Sequence, residues 1–123
     1  MNKAIVIKTD GSINIVDVPE DAGWEWMRSQ INCEWIEFTH PRRLAEGYTM
    51  IVDEEGLLKD WELNVHGSWL YQTDIHGQPI AGDVLIMKEE YGDDGLECRG
   101  MTQDEADALV AILTEAVIVG NRR

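Results

Sequence analysis

The feature that most constrains the fold lies in the first eighteen residues. Two β-branched runs, Lys3 to Lys8 and Ile13 to Val18, flank Thr9-Asp10-Gly11-Ser12. Asp-Gly suits the positive-φ positions of a tight turn whose twist matches that of paired strands, so the chain is expected to open as a β-hairpin. A lone hairpin is marginal in water and has to bury a face against further strands or a helix. The chain has 123 residues, enough for one core, and no internal repeat, low-complexity tract or linker divides it. A single domain over 1–123 is expected.

After the turn and acidic start at Pro19-Glu20-Asp21, Trp24, Met27 and Ile31 recur at helical spacing, with Trp26 off that face. This predicts a short amphipathic helix over 20–31. Residues 33–38 partly alternate and read as a strand, which His40-Pro41-Arg42-Arg43 interrupts because proline donates nothing to a ladder. Tyr48 to Val52 restarts as a strand ending at the turn Asp53-Glu54-Glu55-Gly56, giving a second hairpin. Asn64 is expected to cap a short helical turn carrying Trp69 and Leu70. His76-Gly77-Gln78-Pro79 is turn chemistry, Val84 to Met87 an interior strand, 89–95 an exposed acidic loop, and 96–101 one more short strand.

Thr102-Gln103-Asp104-Glu105 spells a capping box. Ala106, Leu109, Val110, Leu113 and Val117 then share one helical face, and Gly120 with Arg122 and Arg123 is expected to close the helix. The predicted class is α+β. A mostly antiparallel or mixed sheet is opened by the N-terminal hairpin, with one short helix after it and a longer C-terminal helix packed on the sheet.

The charge is uneven. Of 24 acidic and 10 basic residues, 1–52 hold 8 and 5, a net of -3, while 53–123 hold 16 and 5, a net of -11. An acidic half therefore begins near residue 53. Direct binding of nucleic acid or anionic membrane is not expected, since a polyanion is repelled unless basic residues cluster. Glu89, Glu90, Asp93, Asp94, Glu97 and Asp104 form the densest run, relieved by Lys88 and Arg99. The plain reading is a solvated loop and a charged helix start. The functional reading is a surface for a basic partner, such as the cationic groove of a nucleic-acid-binding enzyme, which the carboxylates would occupy as a nucleic-acid mimic.

Chemistry-bearing motifs are few. Gly-x-Ser-x-Gly, the P-loop and Gly-x-Gly-x-x-Gly are all missing from the sequence. The two cysteines, Cys33 and Cys98, form no CxxC pair and are read as core or strand positions in a reducing cytoplasm. The acidic turns lack the alternating ligands of an EF-hand loop, and His66, His76 and Asp74 make only a partial, unspecific set, so neither metal nor cofactor is expected. The opening apolar stretch ends at Lys8, too short for a signal-peptide core or a membrane span. An enzyme survives only as carboxylates meeting in space. Most of the five tryptophans are expected in the core. Trp61, Trp69 and Tyr71, in the least regular stretch, are the candidates for ligand stacking. A second candidate site joins Arg42 and Arg43 as phosphate forks, Asn64 and Ser68 as polar readers, Trp69 and Tyr71 as stacking rings, and Asp53 and Asp83, for a small nucleotide ligand.

The order of these segments is similar to a known family. Lys3-Ala4-Ile5-Val6-Ile7-Lys8 with Asp10-Gly11, Met50-Ile51-Val52-Asp53-Glu54-Glu55-Gly56-Leu57-Leu58-Lys59, Asn64 with Ser68, Leu70 and Tyr71, Ile80-Ala81-Gly82-Asp83-Val84-Leu85-Ile86, and the Thr102-led acidic helix resemble domain of unknown function 3846. The resemblance implies a protein of bacteriophages and other mobile elements and supplies no catalytic residues. The expectation that follows is a non-enzymatic accessory protein in the host cytoplasm. It would inhibit or modulate a basic host factor, in the manner of a counter-defence protein, with a sponge for a nucleotide signal as the alternative and self-association as a further option.

Overall fold

The computed structural model describes residues 2–59, 61–93 and 95–121. In chain order the elements are β1 (Lys3–Ile7), β2 (Ile13–Asp17), α1 (Trp24–Ile31), β3 (Ile36–Thr39), β4 (Tyr48–Asp53), α2 (Val65–Leu70), α3 (Thr73–His76), β5 (Val84–Gly92), β6 (Gly95–Arg99) and α4 (Gln103–Asn121). The strands form one sheet in the order β2-β1-β5-β4-β3, with β6 paired to β5, and each of these pairings is antiparallel. The α+β domain read from the sequence is the one that forms.

The Asp-Gly turn works as expected. Gly11 takes a φ of 92°, its N–H donates to Lys8 O at 3.0 Å, and Asp10 Oδ1 accepts the Ser12 N–H at 2.8 Å. The register then runs from Ile7↔Ile13 to Lys3↔Asp17.

Strand alternation sorts β1 onto two cores. Ile5 and Ile7 join Met50, Val52, Val84 and Ile86 on the face covered by Leu70 of α2 and Ala106, Leu109 and Leu113 of α4. Ala4 and Val6 join Ile51, Leu85 and Met87 on the face covered by Met27 and Ile31 of α1. Covering on both faces explains why the middle strands read as continuous apolar runs instead of alternating ones. Burying each large aliphatic side chain here contributes about 1.5–3 kcal/mol.

The capping box forms, with Glu105 N–H donating to Thr102 Oγ1 at 3.1 Å and Thr102 N–H to Glu105 Oε1 at 2.9 Å. Just before it, Gly100 lets the chain cross the start of β1, because a Cβ there would stand 2.5 Å from Asn2 Cβ. Lys3 and Met101 then exchange two backbone bonds of 2.7 Å.

Several expectations are corrected. The first helix starts at Trp24 rather than residue 20, because Pro19 to Ala22 closes as a turn, with Ala22 N–H on Pro19 O at 3.1 Å. Its buried face is Met27 and Ile31, with Trp26 packed beside it, while Trp24 is exposed. The strand read from Cys33 begins at Ile36, since Asn32, in the left-handed region, only then releases the chain from α1. Residues 89–95 are not a loop: β5 continues through Gly92 and β6 begins at Gly95. Gly120 lies inside α4 rather than ending it, and Arg122 and Arg123 are outside the described residues. None of the five tryptophans is fully buried; small sheet layers leave these large rings at the boundary.

Candidate functional site

The acidic run is built on paired backbone. β4 accompanies β5 only as far as Tyr48↔Lys88, and β1 only along Val84 to Ile86. Glu90, Tyr91 and Gly92 pair with β6 alone among the described residues, through Glu90↔Glu97, Tyr91↔Leu96 and Gly92↔Gly95. Gly95 supplies the positive φ, 109°, that closes this tight turn.

Alternation then separates the side chains. Val84 and Ile86 face α4, so Lys88 and Glu90 do as well, and Lys88 Nζ meets the Glu105 carboxylate at the start of α4. Glu90 pairs with Arg99 at 2.9 Å. Glu97 is exposed, and its carboxylate lies over Gly92 where a larger residue would collide with it. Asp93 in the turn and Asp104 in the first turn of α4 are exposed. Asp94 lies outside the described residues. Glu89 points to the opposite face, where its carboxylate bonds His40 Nε2 at 2.7 and 2.8 Å. Of the predicted run, then, Glu90, Asp93 and Glu97 belong to the hairpin, Asp104 lies in the first turn of α4, which Glu105 ties to Lys88 of β5, and Glu89 points to the opposite face.

Tyr91, 86% exposed near the hairpin end, was not among the predicted site residues. The signal available was Gly92-Asp93-Asp94-Gly95, a two-residue turn bounded by glycines, which would have placed the preceding tyrosine on a strand. Lys88 holds Glu105 well below the usual carboxylate range, at about 2, with the Thr102 N–H assisting. Glu105 therefore keeps its negative charge deep into acid.

The second candidate site is spread through the structure as ties. Asn64, 0% exposed, donates to Ile7 O at 2.9 Å and Gly82 O at 3.0 Å and accepts the Gly67 N–H at 2.8 Å. Ser68 Oγ donates to Ile80 O and accepts from Ile80 N. Asp53 accepts from the Glu55 N–H at 2.9 Å, Trp61 Nε1 at 3.0 Å and Lys59 Nζ at 3.1 Å, and Asp83 accepts the Thr9 N–H at 3.0 Å. Arg43 donates to Trp69 O at 2.7 Å and sits 4.8 Å from the centre of its ring. Arg42 is exposed beside it. Tyr71 and Asp53 line a cavity of about 110 Å³. Asn64, Ser68, Asp83 and Arg43 thus bond backbone groups of neighbouring segments, and Asp53 also bonds two side chains.

Neither thiol is activated. Burial pushes Cys33 up, and burial with the nearby Glu89 charge pushes Cys98 up to about 11, so both stay protonated at neutral pH. His66 Nδ1 is buried without a hydrogen-bond partner among the described residues, and burial lowers its pKa. No cluster of three metal-ligating side chains occurs among the described residues, and no described helix is long and apolar enough to cross a membrane.

A family model described as Domain of unknown function (DUF3846) matches residues 1–110, which include all six strands and the start of α4. No curated protein and no solved structure matches the chain.

Proposed function

The chain belongs to the family described as a domain of unknown function (DUF3846); its activity has to be argued from its own surface, and we propose that it is a non-enzymatic binding protein for a basic partner. The β5–β6 hairpin and the start of α4 form the binding surface. One observation carries this reading: the acidic run is a paired ribbon extending past β4 and β1, with Glu90 and Glu97 on one face, Asp93 in its turn and an exposed Tyr91 on the other face. A ribbon held by backbone bonds loses less entropy on binding than a free loop. Its carboxylates steer a cationic partner, and the exposed tyrosine on its other face gives a partner that clasps the ribbon an anchor.

In the mobile-element setting that the family resemblance implies, the partner is a host factor whose cationic groove normally holds nucleic acid. Occupying that groove inhibits or modulates the factor, the logic of a nucleic-acid mimic. The test compares wild type with the Glu90→Gln, Asp93→Asn, Glu97→Gln, Asp104→Asn variant. Each is recovered from host bacteria at low and moderate salt, and the bound protein is identified and titrated. Wild type is expected to hold a basic nucleic-acid-binding protein that salt releases, with the variant at least roughly tenfold weaker, since several screened charge pairs are lost together. Unchanged binding and unchanged salt dependence would overturn the proposal.

A further inference from the structure

On the face opposite Glu90, the start of α1, β3 and the root of the β5–β6 hairpin enclose a groove of about 510 Å³. Its wall includes Trp24 and Phe38, whose rings meet edge to face with centroids 6.0 Å apart. Trp24 is 63% exposed, which leaves most of the indole open. Met27 and Cys98 also line it, together with Glu89 and His40. The Cys98 thiol stays neutral, so the negative charge at the groove comes from Glu89 and from Glu97, which also lines it, and the Glu89 strand position is fixed from behind by the Glu89 N–H bond to Gly47 O at 2.8 Å.

An open indole beside a carboxylate selects a ligand. A cation is drawn to the ring face and to the anion together, whereas an anion is repelled by both and by the net -14 of the chain. Among cations, a guanidinium is planar, stacks on indole, and forms paired bonds to a carboxylate, which an ammonium does not. The protein itself uses this pairing where Arg43 stacks on Trp69. The volume falls in the range of small-ligand sites, roughly 300–1,000 Å³, and so admits one long side chain with part of its backbone.

We propose that this groove takes an arginine side chain from a basic segment of the partner, stacked on Trp24 and paired with Glu89. The assignment rests on the binding function proposed above and adds the partner's chemistry at a second contact, on the other face of the same hairpin. His40 is its gate. The Glu89 side chain is only 10% exposed beneath an imidazole that is 56% exposed. Arginine therefore reaches the carboxylate by displacing His40, exchanging one donor for two.

The probe is a blocked tri-arginine peptide, with the tri-citrulline peptide as its neutral isostere, titrated into the ¹⁵N-labelled protein. Tri-arginine is expected to shift the Trp24 indole N–H saturably, and citrulline to leave it in place. Trp24→Ala and Glu89→Gln should each weaken tri-arginine roughly tenfold, in line with a desolvated cation–π contact and one charge-assisted pair. His40→Ala should tighten it, which a purely structural histidine would not do. Equal shifts with citrulline, affinity unmoved by both weakening variants, or weaker binding in His40→Ala would overturn the assignment. The two proposals fail separately. Because Glu97 also lines the groove, the separating variant is Glu90→Gln, Asp93→Asn, Asp104→Asn, which changes none of the groove-lining residues. If it still holds the partner while tri-arginine still shifts Trp24, the hairpin reading fails and the groove stands.

Discussion

Asn64 shows how much a single buried side chain can hold together. An amide moved from water into a core is costly unless its bonds are replaced, and here each of its polar atoms is engaged. Truncation to alanine removes the α2 cap and leaves the Gly67 N–H and the carbonyls of Ile7 and Gly82 without that partner. The expected cost of Asn64→Ala is on the order of 3 kcal/mol, read as a fall of about 1–2 M in the urea midpoint for a domain of this size. A midpoint unchanged within error would mean that water replaces the amide at no cost. Asn64→Asp keeps the cap acceptor but turns a carboxylate toward two carbonyls, so it should be no better than alanine. The cap was legible in the sequence, because asparagine before a short helical turn is local grammar. The bond to Ile7, 57 residues away, was not, since no spacing encodes a contact across the sheet.

The same divide between local and distant signals runs through the elements. The opening hairpin and the α4 capping box were readable because each is closed by residues within four positions of one another. The β5–β6 ribbon reads as a loop in the sequence because Glu, Asp and Gly are poor strand formers by propensity. Pairing overrides that preference: Glu90 is held opposite Glu97 by the ladder, and Arg99 supplies the charge that lets it stay there. The Trp24 groove was invisible for a further reason, since α1, β3 and the hairpin meet only once the strand order is known. Glu105 joins these elements, capping α4 while binding Lys88 on β5. Its folded pKa, about 2, lies below the ordinary glutamate value of 4.5. Its contribution is therefore complete above about pH 4.5 and disappears as the pH falls toward 2. Glu105→Gln should lower the melting temperature by a few degrees at pH 7, and the gap to wild type should close across that acid window. A gap that persists at pH 2 would assign the effect to lost packing rather than to charge.

Across the whole molecule, one charge imbalance acts on folding and on binding with opposite sign. Of the ten basic residues, Lys3, Lys59, Lys88 and Arg99 already pair with Asp17, Asp53, Glu105 and Glu90. Arg43 is committed to Trp69. The remaining carboxylates repel one another, which favours the expanded chain, and they attract a cationic partner, which favours the complex. Salt screens both interactions, over about 10 Å at 0.1 M. Raising NaCl from 10 mM to 0.5 M at pH 7 should therefore raise the melting temperature of the free protein by several degrees while weakening its hold on a basic partner. Scanning calorimetry and a binding titration across the same salt series check both halves. A melting temperature that does not move would mean that the ion pairs already balance the field locally. The long-range steering invoked for the hairpin would then lose its source, even with each carboxylate still in place.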